Sequence, residues 1–406
     1  MKQQQEQHLD ISAVLAFMLI PLGGFATDIY LPSFPSMASD LGVGVGQIQL
    51  SLLLFMVSLG VSQFFAGAVL DSFGRYRISM GSLVVFSAAS VAIAISRQIE
   101  VIYAMRVLQG LTVSLIIVGK RAFFVDSYSG EKLKHYTSLF SIVWAIAPVV
   151  APFVGGYLHN QWGWQASFYF LSLATTLIFF LELSYSGESL RELRVFQWKP
   201  IIKTYGNMLT TADFALGVVI VGLSYALLVI FGMTSPFVIE HVYGFSPVIS
   251  GYSSLLSGTA MMSGGIISKL LMNYPLRQKL YVAVTLQLLL AVTMLAAVRL
   301  NDNLPVLLMF TFSLHVGSGF IFNIIYAYCL QRFTQNAGIA SGITGGGVYL
   351  ISSLTNFVLT HLIRIDRAEP LVYANLIIIT GLALVIPVFL KASFNLRGRQ
   401  IQISNP

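Results

Sequence analysis

The chain has 406 residues, of which 56% are hydrophobic and only 10% charged, with a net charge of +7. Soluble domains carry roughly 25% charged residues, so a surface this poor in charge cannot stay wet and most of it must face lipid. The positive excess does not point to nucleic acid, because the basic residues sit in short loops between apolar runs, with no basic helix or aromatic-interleaved patch to follow a phosphate backbone.

The opening residues MKQQQEQHLD lead straight into an apolar run. Glu6 and Asp10 dilute the basic region a signal peptide would need, and the run continues to Thr27-Asp28-Ile29-Tyr30-Leu31-Pro32, so it reads as an uncleaved first span. Crossing a hydrocarbon core of roughly 30 Å takes about 20 apolar residues in a helix. Runs of that length are expected at about 12–35, 47–70, 78–96, 100–122, 136–158 and 165–184. They resume at about 212–236, 248–271, 279–298, 304–330, 337–362 and 371–391. Between the two sets, 185–211 is the one long polar connection. In it Leu190, Leu193, Phe196, Trp198 and Ile201 interleave with Arg191, Arg194, Lys199 and Lys203, as in an amphipathic segment lying on an anionic leaflet. The expectation is an all-α membrane protein of twelve transmembrane helices: an N-terminal six-helix bundle (1–184), a cytoplasmic linker (185–211) and a C-terminal six-helix bundle (212–406). Such a plan is that of transporters built from two halves.

Lysine and arginine placement orients it. With the N-terminus cytoplasmic, 18 of the 23 basic residues fall on the cytoplasmic side, Arg97, Arg299, Arg364 and Arg367 fall outside, and Arg106 lies within a span. Both termini are therefore expected in the cytoplasm, with the chain in a bacterial inner membrane.

A charge at the centre of a span costs about 2.5–3.5 kcal/mol on insertion scales, which makes each one a functional candidate. Asp28 is the one acidic residue well inside an apolar run. It lies about 8 residues, roughly 12 Å, from the outer end of its span, and Arg106 about 6 residues, roughly 9 Å, from the same side of the fourth. The two are expected to meet, either as a proton-coupling pair or as a static ion pair orienting two helices. His315 lies mid-span; it either takes a proton near neutral pH or serves as a neutral hydrogen-bonding group packed against serines. Tyr30, Gln109, Asn323 and Tyr326 are the polar side chains expected to line a substrate cavity. Pro148, Pro152, Gly155 and Gly156 concentrate missing donors and flexible positions in one helix, and read as a hinge. The single cysteine, Cys329, excludes an intramolecular disulfide and fits no metal-ligand spacing. No His-x-x-x-His, paired intramembrane carboxylates or nucleophile elbow argues for an enzyme.

Four segments carry a family resemblance. Gly67-Ala68-Val69-Leu70-Asp71-Ser72-Phe73-Gly74-Arg75-Tyr76-Arg77, between the second and third spans, resembles the signature loop of the major facilitator superfamily. Arg106-Val107-Leu108-Gln109-Gly110 is similar to that superfamily's Arg-x-x-Gln-Gly motif, and APVVAPFVGGYL, with Pro148, Pro152, Gly155 and Gly156, to the antiporter motif of drug exporters. Asp28-Ile29-Tyr30-Leu31-Pro32-Ser33-Phe34-Pro35 resembles the Asp-x-Tyr-Leu-Pro-x-x-Pro of the Bcr/CflA bicyclomycin- and chloramphenicol-resistance branch. The resemblance implies a proton-coupled exporter of small organic molecules working by alternating access. It also implies a conformational latch of Gly67, Asp71, Gly74, Arg75, Arg77 and Asp126. The alternative within transport is a dedicated carrier of a secreted metabolite such as a siderophore, in either direction. Expected partners are a small-molecule substrate, protons and the lipid bilayer, with no cofactor, no nucleic acid and a monomeric chain.

Overall fold

A computed structural model describes residues 3–190, 192–193, 198–333, 337–365 and 367–404. Apart from one isolated bridge between Gln3 and Glu188, the regular structure of these residues is helical.

The first predicted span is a broken helix. It comprises α1 (Leu9–Leu19), α2 (Leu22–Asp28) and, beyond a 3-10 turn at Leu31–Ser33, α3 (Phe34–Leu41). Proline lacks an N–H and its ring clashes with the carbonyl four residues back, so the breaks fall beside Pro21, Pro32 and Pro35. The next five spans are α4 (Val45–Phe73), α5 (Arg75–Ile95), α6 (Ile99–Ser127), α7 (Gly130–Trp162) and α8 (Gln165–Tyr185). A linker helix α9 (Trp198–Leu209) precedes α10 (Ala212–Phe237), which runs into a π-helical turn at Val238–Val242. Then come α11 (Pro247–Leu270), α12 (Leu276–Leu300), α13 (Leu304–Arg332), α14 (Ala337–Leu362) and α15 (Ala368–Ser404).

Ten helical segments among the described residues are long and apolar enough to cross a membrane. The predicted spans 136–158 and 248–271, outside that set, are α7 and α11. These are helices of 33 and 24 residues; serine and glycine positions dilute the apolar character of α11, and several side chains of α7 lie outside the described residues. At 1.5 Å per residue both still exceed a roughly 30 Å core. Of the linker residues expected to form an amphipathic face, Arg191, Arg194 and Phe196 lie outside the described residues, as do the side chains of Trp198, Lys199 and Ile201.

The chain separates into two compact units, Met1–Phe196 with Ser235–Leu255 and Gln197–Thr234 with Leu256–Pro406. In the first, α6 packs along both α4 and α5, α5 packs on α8, and α7 on α2. Gly110 makes the α4–α6 approach possible, since a Cβ there would lie 2.9 Å from the Leu59 nitrogen. The turn between α4 and α5 is a single residue, Gly74, at φ +94°, a conformation side chains rarely adopt. In the second unit α12 packs on α13 and α15, and α13 on α14. Large apolar side chains such as Val14, Ile95, Leu173, Leu177, Val282 and Leu384 are exposed, as a surface in contact with acyl chains requires.

Candidate functional site

Two charged clusters stand in the first unit. The deeper one centres on Arg106 of α6, which is fully buried. Its Nη1 donates to the Ala26 carbonyl at 3.0 Å and to Gln109 Oε1 at 2.8 Å, and Gln109 Nε2 donates to Ser90 Oγ at 2.8 Å. The three-residue spacing of Arg106 and Gln109 puts both on one helix face, which is the physical content of the Arg-x-x-Gln motif. The guanidinium lies over the Phe55 ring at 4.1 Å and the Tyr30 ring at 4.6 Å. Tyr30 is itself buried, with its hydroxyl 3.2 Å from Ser51 Oγ.

Asp28 is buried at the end of α2, and its Oδ2 has no hydrogen-bond partner. The expected ion pair with Arg106 is not formed: no Asp28–Arg106 contact within 4.0 Å occurs among the described ion pairs. Arg106 reaches the same stretch of chain through Ala26 instead. Ala26 lies in the last turn of α2, where carbonyls lack helical donors, and Asp28 lies about 200° further round that helix. Arg106 Nε and Nη2 are also without partners. The cluster thus holds a buried carboxylate and a buried guanidinium that both retain unfilled bonding capacity.

The second cluster lies where α4 meets α5. Arg75 donates from Nη2 to Asp71 Oδ1 at 3.0 Å and from Nη1 to Asp126 Oδ2, joining α5, α4 and α6. Of the signature loop, Gly74 supplies the turn, whereas Gly67 and Arg77 are exposed and Gly67 has open space about it. Two residues that sequence reasoning missed complete the network. Glu188 is buried after α8, and its carboxylate accepts from the backbone N–H of Arg75 at 3.1 Å, of Tyr76 at 3.0 Å and of Leu190 at 3.1 Å. It caps α5, whose first N–H groups have no partner within the helix. Ser189 Oγ donates to Asp126 Oδ2 at 2.9 Å. Nearby, Lys120 of α6 pairs with the fully buried Glu182 of α8 at 2.5 Å. A cavity of ≈ 20 Å³, room for one water, is lined by Arg75, Lys120, Ser79, Ser12 and Gln4 among others.

α7 continues unbroken through Pro148 and Pro152. Its glycines are seats for other chain segments. A Cβ on Gly155 would collide with the Ile29 carbonyl at the break in the first span, and one on Gly156 would lie 2.8 Å from the Pro247 carbonyl oxygen. Tyr157 and Tyr252 extend that contact by a hydroxyl pair at 2.9 Å.

In the second unit His315 is buried between Ser257 Oγ, 2.7 Å from Nδ1, and the Leu227 carbonyl, 3.2 Å from Nε2. A carbonyl can only accept, which assigns a hydrogen to Nε2, while Nδ1 is bonded to a hydroxyl that can donate or accept, so both nitrogens are satisfied. Asn323 Nδ2 donates to the Gly265 carbonyl and Ser268 Oγ, both at 2.9 Å, tying α13 to α11. Tyr326 stacks on Phe322 with ring centres 5.4 Å apart. Buried Asp213 of α10 accepts from Nε of the partly exposed Arg332 at 2.7 Å and from Tyr328 Oη at 2.6 Å, a pairing that the sequence did not signal.

Comparison with known proteins follows the same line. An uncharacterized MFS-type transporter of Bacillus subtilis, YdgK, is 29% identical over 349 residues, covering 85% of this chain and 87% of that one. The bicyclomycin resistance protein homolog of Haemophilus influenzae is 25% identical over 417 residues, covering 98% and 100%. The crystal structure of a D-xylose-proton symporter superposes with a TM-score of 0.72 at 12% identity, over 91% of this chain and 96% of that one, a likeness of fold. The profile of the Major Facilitator Superfamily matches residues 15–356. The chain is a member of the Major Facilitator Superfamily of membrane transporters.

Proposed function

We propose that the protein is a proton-coupled exporter of small organic molecules, acting as a monomer by alternating access in a bacterial inner membrane with both termini cytoplasmic. The observation that carries the reading is Asp28, a buried carboxylate with an unpartnered oxygen at a break in the first span, beside a buried arginine bound to the same stretch. Exchange of substrate for protons needs a group charged in one state of the cycle and neutral in the other. Asp28 meets that need, because its carboxylate is not locked in an ion pair. Arg106 fixes the neighbouring backbone through the Ala26 carbonyl. Each unit of pH gradient supplies about 1.4 kcal/mol per proton, and 100 mV of potential about 2.3 kcal/mol per charge. The names of relatives, multidrug resistance protein MdtL and bicyclomycin resistance protein homolog among them, support organic compounds as cargo. Asp71, Arg75 and Asp126 serve as the cytoplasmic latch.

The test is transport of bicyclomycin and a panel of organic cations in proteoliposomes with only a pH gradient imposed. Wild type should accumulate at least one of them against its gradient, and Asp28→Asn should not, while retaining binding of neutral compounds. Accumulation by Asp28→Asn at the wild-type rate would move coupling away from this residue.

A further inference from the structure

The residues ahead of α1 carry no hydrophobic pattern and no motif, yet Gln4 is one of the most heavily bonded side chains in the first unit. Its backbone N–H donates to the Glu188 carbonyl at 3.0 Å, its Oε1 accepts from the Gly187 N–H at 2.9 Å, and its Nε2 donates to Ser12 Oγ at 3.0 Å. Gln3 and Glu188 form the isolated parallel bridge beside it. The approach leaves no room for a side chain at position 187, where a Cβ would lie 2.5 Å from the Gln3 carbonyl and 2.7 Å from the Gln4 nitrogen. The strip held in this way is the one whose next two side chains reach the latch: Glu188 caps α5 at Arg75, and Ser189 bonds Asp126.

From this geometry we propose that Gln4 is a positioning residue for the latch. Gln3 and Gln4 clamp residues 187 and 188, so that Glu188 and the Ser189 that follows it present their oxygens to Arg75, Tyr76 and Asp126, and unclasping this segment loosens the latch from outside the helices. The proposal rests on the latch reading of Asp71, Arg75 and Asp126. Distance in sequence is what gives it mechanical meaning. Gln4 and Glu188 are joined through the whole of α1–α8, so their bonds tie the start of the unit to its last span. A movement of either end is thereby passed to Arg75.

The experiment uses the full chain in lipid nanodiscs, with spin labels on the two sides of the membrane reporting the ratio of inward- to outward-open conformers. Asp126→Asn establishes the direction in which loss of the latch moves that ratio. Gln4→Ala, and independently Gly187→Ala, should move it the same way by about threefold to tenfold, the worth of one to two hydrogen bonds. Substrate Kd should be unchanged, and Gln4→Ala should add nothing in the background of Glu188→Gln combined with Ser189→Ala, because it acts through those two residues. If Asp126→Asn moves the ratio while Gln4→Ala and Gly187→Ala leave it alone, or if Gln4→Ala keeps its full effect in the background of Glu188→Gln combined with Ser189→Ala, the clasp has no role in the latch. If Asp126→Asn itself leaves the ratio unmoved, the latch reading fails and the proposal falls with it.

Discussion

The two charged clusters of the first unit are built from similar residues and end in opposite states. Around Arg75 the bonds are nearly complete, with only the guanidinium Nε left without a partner: two carboxylates on the guanidinium, a serine on Asp126, and a third carboxylate across the first N–H groups of α5. Around Arg106, one oxygen of Asp28 and two nitrogens of the guanidinium have no partner, although all three atoms are buried. An unsatisfied buried polar group costs about 1–3 kcal/mol, more when charged. A fold retains such a group where something else is to bond it. A filled network holds a conformation, and an unfilled one is where a proton or ligand can change the balance.

The contrast is open to direct attack. The largest effect is expected at the unfilled cluster. Arg106→Lys keeps the charge but loses the planar guanidinium that lies on the Phe55 and Tyr30 rings while its Nη1 bonds the Ala26 carbonyl and Gln109. Proton-driven transport in vesicles should fall by about tenfold to a hundredfold, and a near-wild-type rate would show that only charge matters there. A filled network should respond through stability. Glu188→Gln weakens charge-assisted bonds to the α5 N-terminus and should cost about 1–2 kcal/mol in denaturant unfolding, with substrate Kd unchanged. Loss of binding would mean that this end of the unit belongs to the substrate site. The smallest effect is expected at His315, whose two nitrogens are already bonded. His315→Gln can still bond both Ser257 and the Leu227 carbonyl, and should leave the pH profile of transport within about twofold of wild type. A shifted profile would place His315 among the proton carriers.

How far these features could be read from residues alone depends on how local their cause is. Each of the twelve apolar runs became helical, the first of them in pieces, because apolar length is a property of one segment. The prolines that break the first span and the Arg106–Gln109 face are equally local. The partners of Arg106 were not legible, since which group of the first span faces α6 depends on where α2 stops. Glu188 and Gln4 gave no signal at all. Each is polar in a polar stretch, and their meaning arises only when segments 183 residues apart in numbering are brought side by side, as the Gly187 N–H to Gln4 bond shows. The Lys120–Glu182 pair escaped for a related reason. Glu182 sits three residues from the end of α8 and reads as an end charge, but it is completely buried where α8 packs on α5 and Lys120 of α6 reaches it.

The one-residue turn at Gly74 bears on how force travels through the protein. Two helices of 29 and 21 residues meet there with no intervening slack. A flexible tether would let α4 slide while α5 stayed still; a single residue fixed at φ +94° does not. Tilting either helix therefore reorients the other, and carries Arg75, the first residue after the turn, along with it. An insertion of even one residue at this point would uncouple the two rods and put the guanidinium out of phase with both carboxylates, whereas the same insertion in a longer connection, such as that between α10 and α11, would be absorbed.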